Sequence, residues 1–167
     1  AHLSGFIPVA RTLGYDMPVL QEYLERSLEG DIDLWTDVAS HMDEDMLPDA
    51  KARRKAAKKS YALVYGSSID NYRYEMLKAY AGAAGTEMTT QDAVAAVTDH
   101  PVIKEILSVR GKIQDDINAQ GGLEDAQGRW IPLSAWDDVK SKADRWRGVL
   151  AYTNCSHEQE IISAVFD

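Results

Sequence analysis

Arg53-Arg54-Lys55-Ala56-Ala57-Lys58-Lys59-Ser60-Tyr61-Ala62-Leu63-Val64-Tyr65-Gly66 sets cations and then aromatic rings at helical spacing and stops at a glycine. Guanidinium and ammonium groups pair with phosphate oxygens, and a flat ring offers a π-face to a base. A helix built this way can hold a triphosphate at its basic end and stack on a nucleobase at the other. An amphipathic surface helix with a solvated basic face shows the same pattern, so the stretch alone leaves both readings open.

Other reactive residues offer less. His2, His41, His100 and His157 are scattered, with no helical histidine pair at metal-ligand spacing, and read as surface or core histidines. Cys155 is the one cysteine, expected to be a buried, inert thiol, and two residues from His157 it faces another side of a helix. Asp43-Glu44-Asp45 with Asp49 lacks the glycine and terminal glutamate of a calcium loop and reads as a solvated loop. Trp130, Trp136 and Trp146 are expected in the core or at its edge. No residue is assigned as catalytic or as a metal ligand.

The chain has 167 residues, 45% apolar and 27% charged, enough for one domain over residues 1–167. It contains no apolar run long enough to span a membrane, and its start lacks a signal peptide's charged and apolar regions. With a single cysteine, a reducing cytoplasm is the expected compartment, and no membrane partner is expected. The net charge of -9 argues against generic nucleic-acid binding, which needs a basic footprint. Residues 51–82 nevertheless hold eight basic and two acidic residues. That basic island can meet a phosphate-bearing ligand within an acidic protein.

The elements that must position these residues are mostly helices. The spacing predicts a helix over Pro18 to Leu28 with Val19, Leu20, Tyr23, Leu24 and Leu28 on one face, closed by Glu29-Gly30. Asp31 or Asp33 caps a short helix carrying Leu34, Trp35, Val38 and Ala39, and Asp49 caps the basic helix, which Gly66-Ser67-Ser68 closes. Asn71 to Tyr80 is expected to resume helical spacing, and Thr90 to begin another helix. Asp99-His100-Pro101 introduces a helix of about two dozen residues. Gly121-Gly122 to Gly128 interrupts the helical period before the extended segment Arg129-Trp130-Ile131-Pro132-Leu133. From Ser134 the chain returns to helix, with Ile161, Ile162, Val165 and Phe166 on an apolar face. The predicted fold is mainly α, a single helical domain with at most a short β-hairpin near 120–133.

The order of these motifs resembles the family A DNA polymerases, including those of bacteriophages. Gly30-Asp31-Ile32-Asp33-Leu34-Trp35-Thr36 is similar to the Asp-Ile-His-x-x-Thr segment before that family's fingers, with Asp33 where histidine is usual. Arg53 through Ser68 resembles the fingers helix, in which arginine, lysine, an aromatic residue and Tyr-Gly follow at intervals of four. Gly122 to Leu133 is similar to the turn and strand carrying Thr-x-x-Gly-Arg-x-x-x-x-Pro, and Asn154 to Val165 falls where the family has a helix holding an Asn and a Gln. The resemblance covers most of residues 28–167 and makes residues 1–27 a palm-edge remnant.

By that resemblance Arg53, Tyr61, Tyr65 and Gly66 fall on positions that contact phosphate, the sugar or base, and the template. Arg54 and Lys58 complete the candidate nucleotide- and template-binding set. Ala57 stands at the family's lysine position, and Lys58 lies one residue later, about 100° around the helix. The metal chemistry departs further. His2-Leu3-Ser4-Gly5-Phe6-Ile7 aligns with the Asp-x-Ser-x-x-Glu that opens the palm, which sets His2 on an aspartate that should hold magnesium. Imidazole is a poor magnesium ligand. Ser156-His157-Glu158-Gln159 imitates the family's His-Asp-Glu hairpin poorly.

The resemblance thus implies a fragment or split piece of a DNA-directed DNA polymerase. It would supply nucleotide and template contacts, have primer-template DNA, a deoxynucleoside triphosphate or the rest of a polymerase as partners, and be unable to catalyse alone. A complete polymerase would use Mg2+; no cofactor is expected of this chain by itself. The alternative is a small, catalytically dead polymerase-derived protein, phage-encoded and acting in the host cytoplasm, that binds or inhibits another protein.

Overall fold

Asp33, Asp49 and His100 each stand just before a helix and accept a hydrogen bond from a backbone N–H of its first turn. The computed structural model describes residues 3–42, 44, 45, 47–60, 62, 95 and 97–166. Among them the chain is mainly helical with a short two-stranded antiparallel sheet, as the sequence predicts. The helices are α1 (Phe6–Thr12), α2 (Pro18–Leu28), α3 (Leu34–Ser40), α4 (Ala50–Ala57), α5 (Pro101–Gln120) and α6 (Arg145–Phe166). The strands are β1 (Gly122–Glu124) and β2 (Trp130–Pro132). The expected helices over Asn71 to Tyr80 and from Thr90, and the stop at Gly66-Ser67-Ser68, lie outside the described residues.

The chain divides into two compact units, residues 1–18 with 108–167, and residues 19–107. In the 19–107 unit α3 packs on α4. Leu34, Val38 and Ala39 of α3 are buried, as are Ala56 and Ala57 of α4. The first turn of α2 is closed from α5, where the Glu105 carboxylate accepts from the N–H groups of Val19 (3.1 Å) and Leu20 (2.7 Å). A carboxylate there satisfies orphan donors and complements the helix dipole. Leu20 is the buried residue of α2, whereas Leu28, expected on the same face, is 89% exposed where the chain turns away at Gly30 (φ 82°).

The other unit is built on α6. Helix α1 was not predicted from the sequence, although Pro8 in its first turn is compatible with a helix start. Its residues Phe6, Ile7, Val9 and Ala10 are buried. α1 packs on α6, with Gly5 so close to Asn154 that a Cβ would meet that residue's backbone oxygen. The hairpin pairs Gly122 with Pro132, Leu123 with Ile131 and Glu124 with Trp130. Its turn needs Gly128 (φ 74°), whose N–H donates to Asp125 O at 3.0 Å.

Helix does not resume at Ser134. Residues 133–136 and 142–144 form 3-10 turns, and α6 starts at Arg145. Pro132 and Ser141 take extended ψ values, and the Ser141 hydroxyl donates to Asp144 Oδ2 at 2.6 Å, a local bond that competes with helix. Trp136 packs where Gly148 has no side chain. Trp146 is buried as expected, but Trp130 is 48% exposed on the hairpin. Ile161 and Ile162 are also exposed, and Cys155 is exposed rather than buried, because α6 turns Thr153, Asn154 and Ser156 inward instead.

Candidate functional site

The basic helix begins with both arginines engaged by this chain's own oxygens. Asp33 caps α3 by accepting from Thr36 N (2.8 Å) and Thr36 Oγ1 (2.7 Å), and the same carboxylate receives Arg54 Nε (3.0 Å) and Nη2 (2.8 Å). The Arg54 fork holds the Asp33 carboxyl well below the ordinary carboxylate range; partial burial opposes it and the Thr36 bonds reinforce it. The bond to Asp33 correspondingly raises the Arg54 guanidinium. Arg53 is only 9% exposed. Its Nη1 donates to the carbonyls of Leu47 (2.7 Å) and Pro48 (2.8 Å), and its Nη2 to Glu44 Oε1 (3.3 Å). Arg53 thereby fastens the segment before α4 to the helix.

Between α3 and α4 lies a cleft of about 430 Å³ lined by Thr36, Ser40, Glu44, Lys51, Arg53 and Arg54, with Ala39 and Ala50. It offers two hydroxyls and three cations, but an anion seated there would compete with Asp33 and Glu44 for the guanidiniums. Lys58 is exposed at the start of a 3-10 turn, Lys58–Ser60, that follows α4. Ala57 is fully buried, so a lysine at this position would have to bury its ammonium group. The missing lysine is therefore matched by packing. The remaining members of the predicted set, Tyr61, Tyr65 and Gly66, lie outside the described residues.

A second constellation forms where α3 meets the start of α5. Asp37 Oδ2 lies 2.8 Å from His100 Nε2 and accepts from the Tyr23 hydroxyl at 3.0 Å. His100 is fully buried, and its Nδ1 accepts from Val102 N at 3.2 Å. A backbone N–H can only donate, so Nδ1 carries the lone pair and Nε2 carries the proton given to Asp37. Burial works to raise the Asp37 carboxyl, but the bonds from His100 and Tyr23 outweigh it and leave the group below its ordinary value. His41 joins edge-on to His100, ring centroids 5.1 Å apart. One ligand atom from each of Asp37, His41 and His100 lies within 4.8 Å of the others.

Sequence reasoning missed this group because it sought histidine pairs, whereas the spacing present is Asp37 in α3 and, four residues later, His41 at its C-cap. Their partner His100 is 63 residues from Asp37.

A third cluster fixes the hairpin turn. Asp125 Oδ1 accepts from the N–H groups of Gln127 (3.0 Å) and Arg129 (2.9 Å), and its Oδ2 pairs with the Arg129 guanidinium (2.6 Å). The Arg129 pair lowers the Asp125 carboxyl against burial. Arg129 Nη2 also reaches the Tyr152 hydroxyl at 3.3 Å, and Ala126 N donates to Ser156 Oγ at 3.2 Å, tying the turn to α6.

No known protein family, curated protein or solved structure matches this chain.

Proposed function

We propose that the chain is a fingers-type segment of a family A DNA polymerase, supplying nucleotide and template contacts to an active site whose metal-binding carboxylates come from elsewhere. The observation that supports this most is the hairpin. A turn at Gly128-Arg129 leads into a strand ending at Pro132, and a helix containing Asn154 follows, in the order the resemblance implies. The helix capped by Asp33 and the basic helix capped by Asp49 precede them in the same order.

In this reading the work is divided along the basic helix. Arg53 and Arg54 brace α4 against its surroundings, and the exposed Lys58, with Tyr61 and Tyr65 after it, meets phosphate and base. Titrating labelled primer-template with the purified chain and a deoxynucleoside triphosphate tests this. Lys58→Ala should weaken binding roughly tenfold or more, because a hydrogen bond to a charged group is worth about 1.5–3 kcal/mol. Template-dependent primer extension by the chain alone with Mg2+ would contradict the division of labour, as would binding indifferent to Lys58.

One observation favours the alternative, a catalytically dead polymerase-derived protein that binds another protein. Arg53, Arg54 and Arg129, all within the motifs of the resemblance, pair with Glu44, Asp33 and Asp125 of this chain. A chain that ignores primer-template yet retains one protein at fixed stoichiometry through purification would establish that reading in place of the first.

A further inference from the structure

We propose that Asp37, His41 and His100 bind a divalent transition-metal cation, with Zn2+ the best match. This site does not depend on nucleotide binding by the basic helix. Asp37 lies in α3 and His41, four residues later, is its C-cap, so the two are about one helical turn apart on the same side, while His100 comes to them from the residue before α5. Their nearest ligand atoms are mutually within 4.8 Å. Zinc bonds of about 2.0–2.1 Å in a tetrahedron need ligand atoms roughly 3.3 Å apart, so the widest separation must close by up to about 1.5 Å while Asp37 Oδ2 and His100 Nε2, now 2.8 Å apart, must open by about half an ångström. His41 is exposed and free to make that adjustment by rotation, whereas His100 is locked in the core.

The donor set selects the ion. Two imidazoles and one carboxylate suit Zn2+, Co2+ or Ni2+ and are poor ligands for Mg2+ or Ca2+, so this is not a polymerase's magnesium site. Three protein ligands leave a fourth position for water or a further ligand. The Tyr23 hydroxyl supplies the outer hydrogen bond that orients a ligating carboxylate. Asp37 is partly exposed and His41 exposed, which gives the ion a way in from solvent.

Between His100 Nε2 and Asp37 a proton now occupies the place the metal would take. For Nε2 to ligate, that proton must move to Nδ1, and Val102 N–H then loses its acceptor. The new Nδ1–H would then face the Val102 N–H in the core, so the metal bond has to offset the cost of two opposed buried donors. Metal binding would tie the end of α3 to the first turn of α5.

The test is titration of the full chain, freed of metal by a chelator, with Zn2+ and with Co2+ as a spectroscopic substitute. One equivalent should bind. Co2+ should give the visible bands of a four- or five-coordinate nitrogen and oxygen site without a thiolate band, and excess Mg2+ should not compete. His41→Ala, at an exposed position, should leave the circular dichroism of the metal-free chain unchanged and weaken Zn2+ binding by at least about tenfold. Asp37→Asn should also weaken Zn2+ binding, and Cys155→Ser should do nothing. Absence of saturable binding, or binding indifferent to His41→Ala, overturns the proposal and leaves the three residues as a hydrogen-bonded core cluster.

Discussion

Arg54 grips Asp33 with two nitrogens, Nε at 3.0 Å from one carboxylate oxygen and Nη2 at 2.8 Å from the other, while that carboxylate caps α3. One side chain thus starts α3 and holds the basic end of α4. Asp33, where the resemblance expects histidine, thus forms an internal ion pair with Arg54, the neighbour of the arginine that the resemblance sets on phosphate.

Asp33→Ala and Asp33→Asn separate the two roles. Alanine removes the cap and should cost about 1 kcal/mol of stability; asparagine is as good a cap and should cost less. Both free Arg54. In the polymerase reading Arg54 is a brace and Lys58 meets the phosphate, so neither variant, nor Asp33→His, should raise affinity for a triphosphate. Denaturation curves and nucleotide titrations read the two effects, and tighter triphosphate binding in any of the three variants would show that Arg54 takes part in phosphate binding once released.

Acid should destabilise the fold through the same carboxylates. Asp33, Asp37 and Asp125 have folded values below their ordinary ones, so each binds fewer protons folded than unfolded near pH 3.8. Their stabilisation is present in full above that ordinary value. It is lost as the pH falls through the folded values. Urea denaturation at pH 7 and at steps below pH 4 should show falling stability, with a shallower fall in Asp37→Asn. A pH-independent midpoint would contradict the assignment.

Close packing makes Gly148 and Gly5 sensitive to a single added methyl. A Cβ at Gly148 would overlap the Trp136 indole, and one at Gly5 would press on the backbone oxygen of Asn154. Gly148→Ala and Gly5→Ala should each cost roughly 1–3 kcal/mol, as overpacked cores do. Thermal melts check this, with Gly111→Ala as the control, since nothing lies within 4 Å of a Cβ there.

Local signals were the legible part of the fold. Pro18 and Gly30 bound α2, Asp33 and Asp49 cap their helices, and Gly128 marks the hairpin turn, because each acts through its own backbone or that of near neighbours. What the sequence hid depends on distant partners. Arg53 looks like a free phosphate ligand until Glu44, Leu47 and Pro48 are seen around it. His100 looks isolated until the fold brings Asp37 to it. The stretch Ser134 to Asp144 has helical composition, but the Trp136 contact with Gly148 and the bond from Ser141 to Asp144 hold it in short turns. Ala57 reads as a lost lysine and is a core residue.

Hydrogen exchange of the purified chain, with and without primer-template and a deoxynucleoside triphosphate, tests the polymerase reading most directly. That reading predicts slowed exchange over residues 50–66, concentrated after Ala57, and its loss in Lys58→Ala. Unchanged exchange over 50–66 at saturating ligand, alongside a protein partner that does protect the chain, would contradict it.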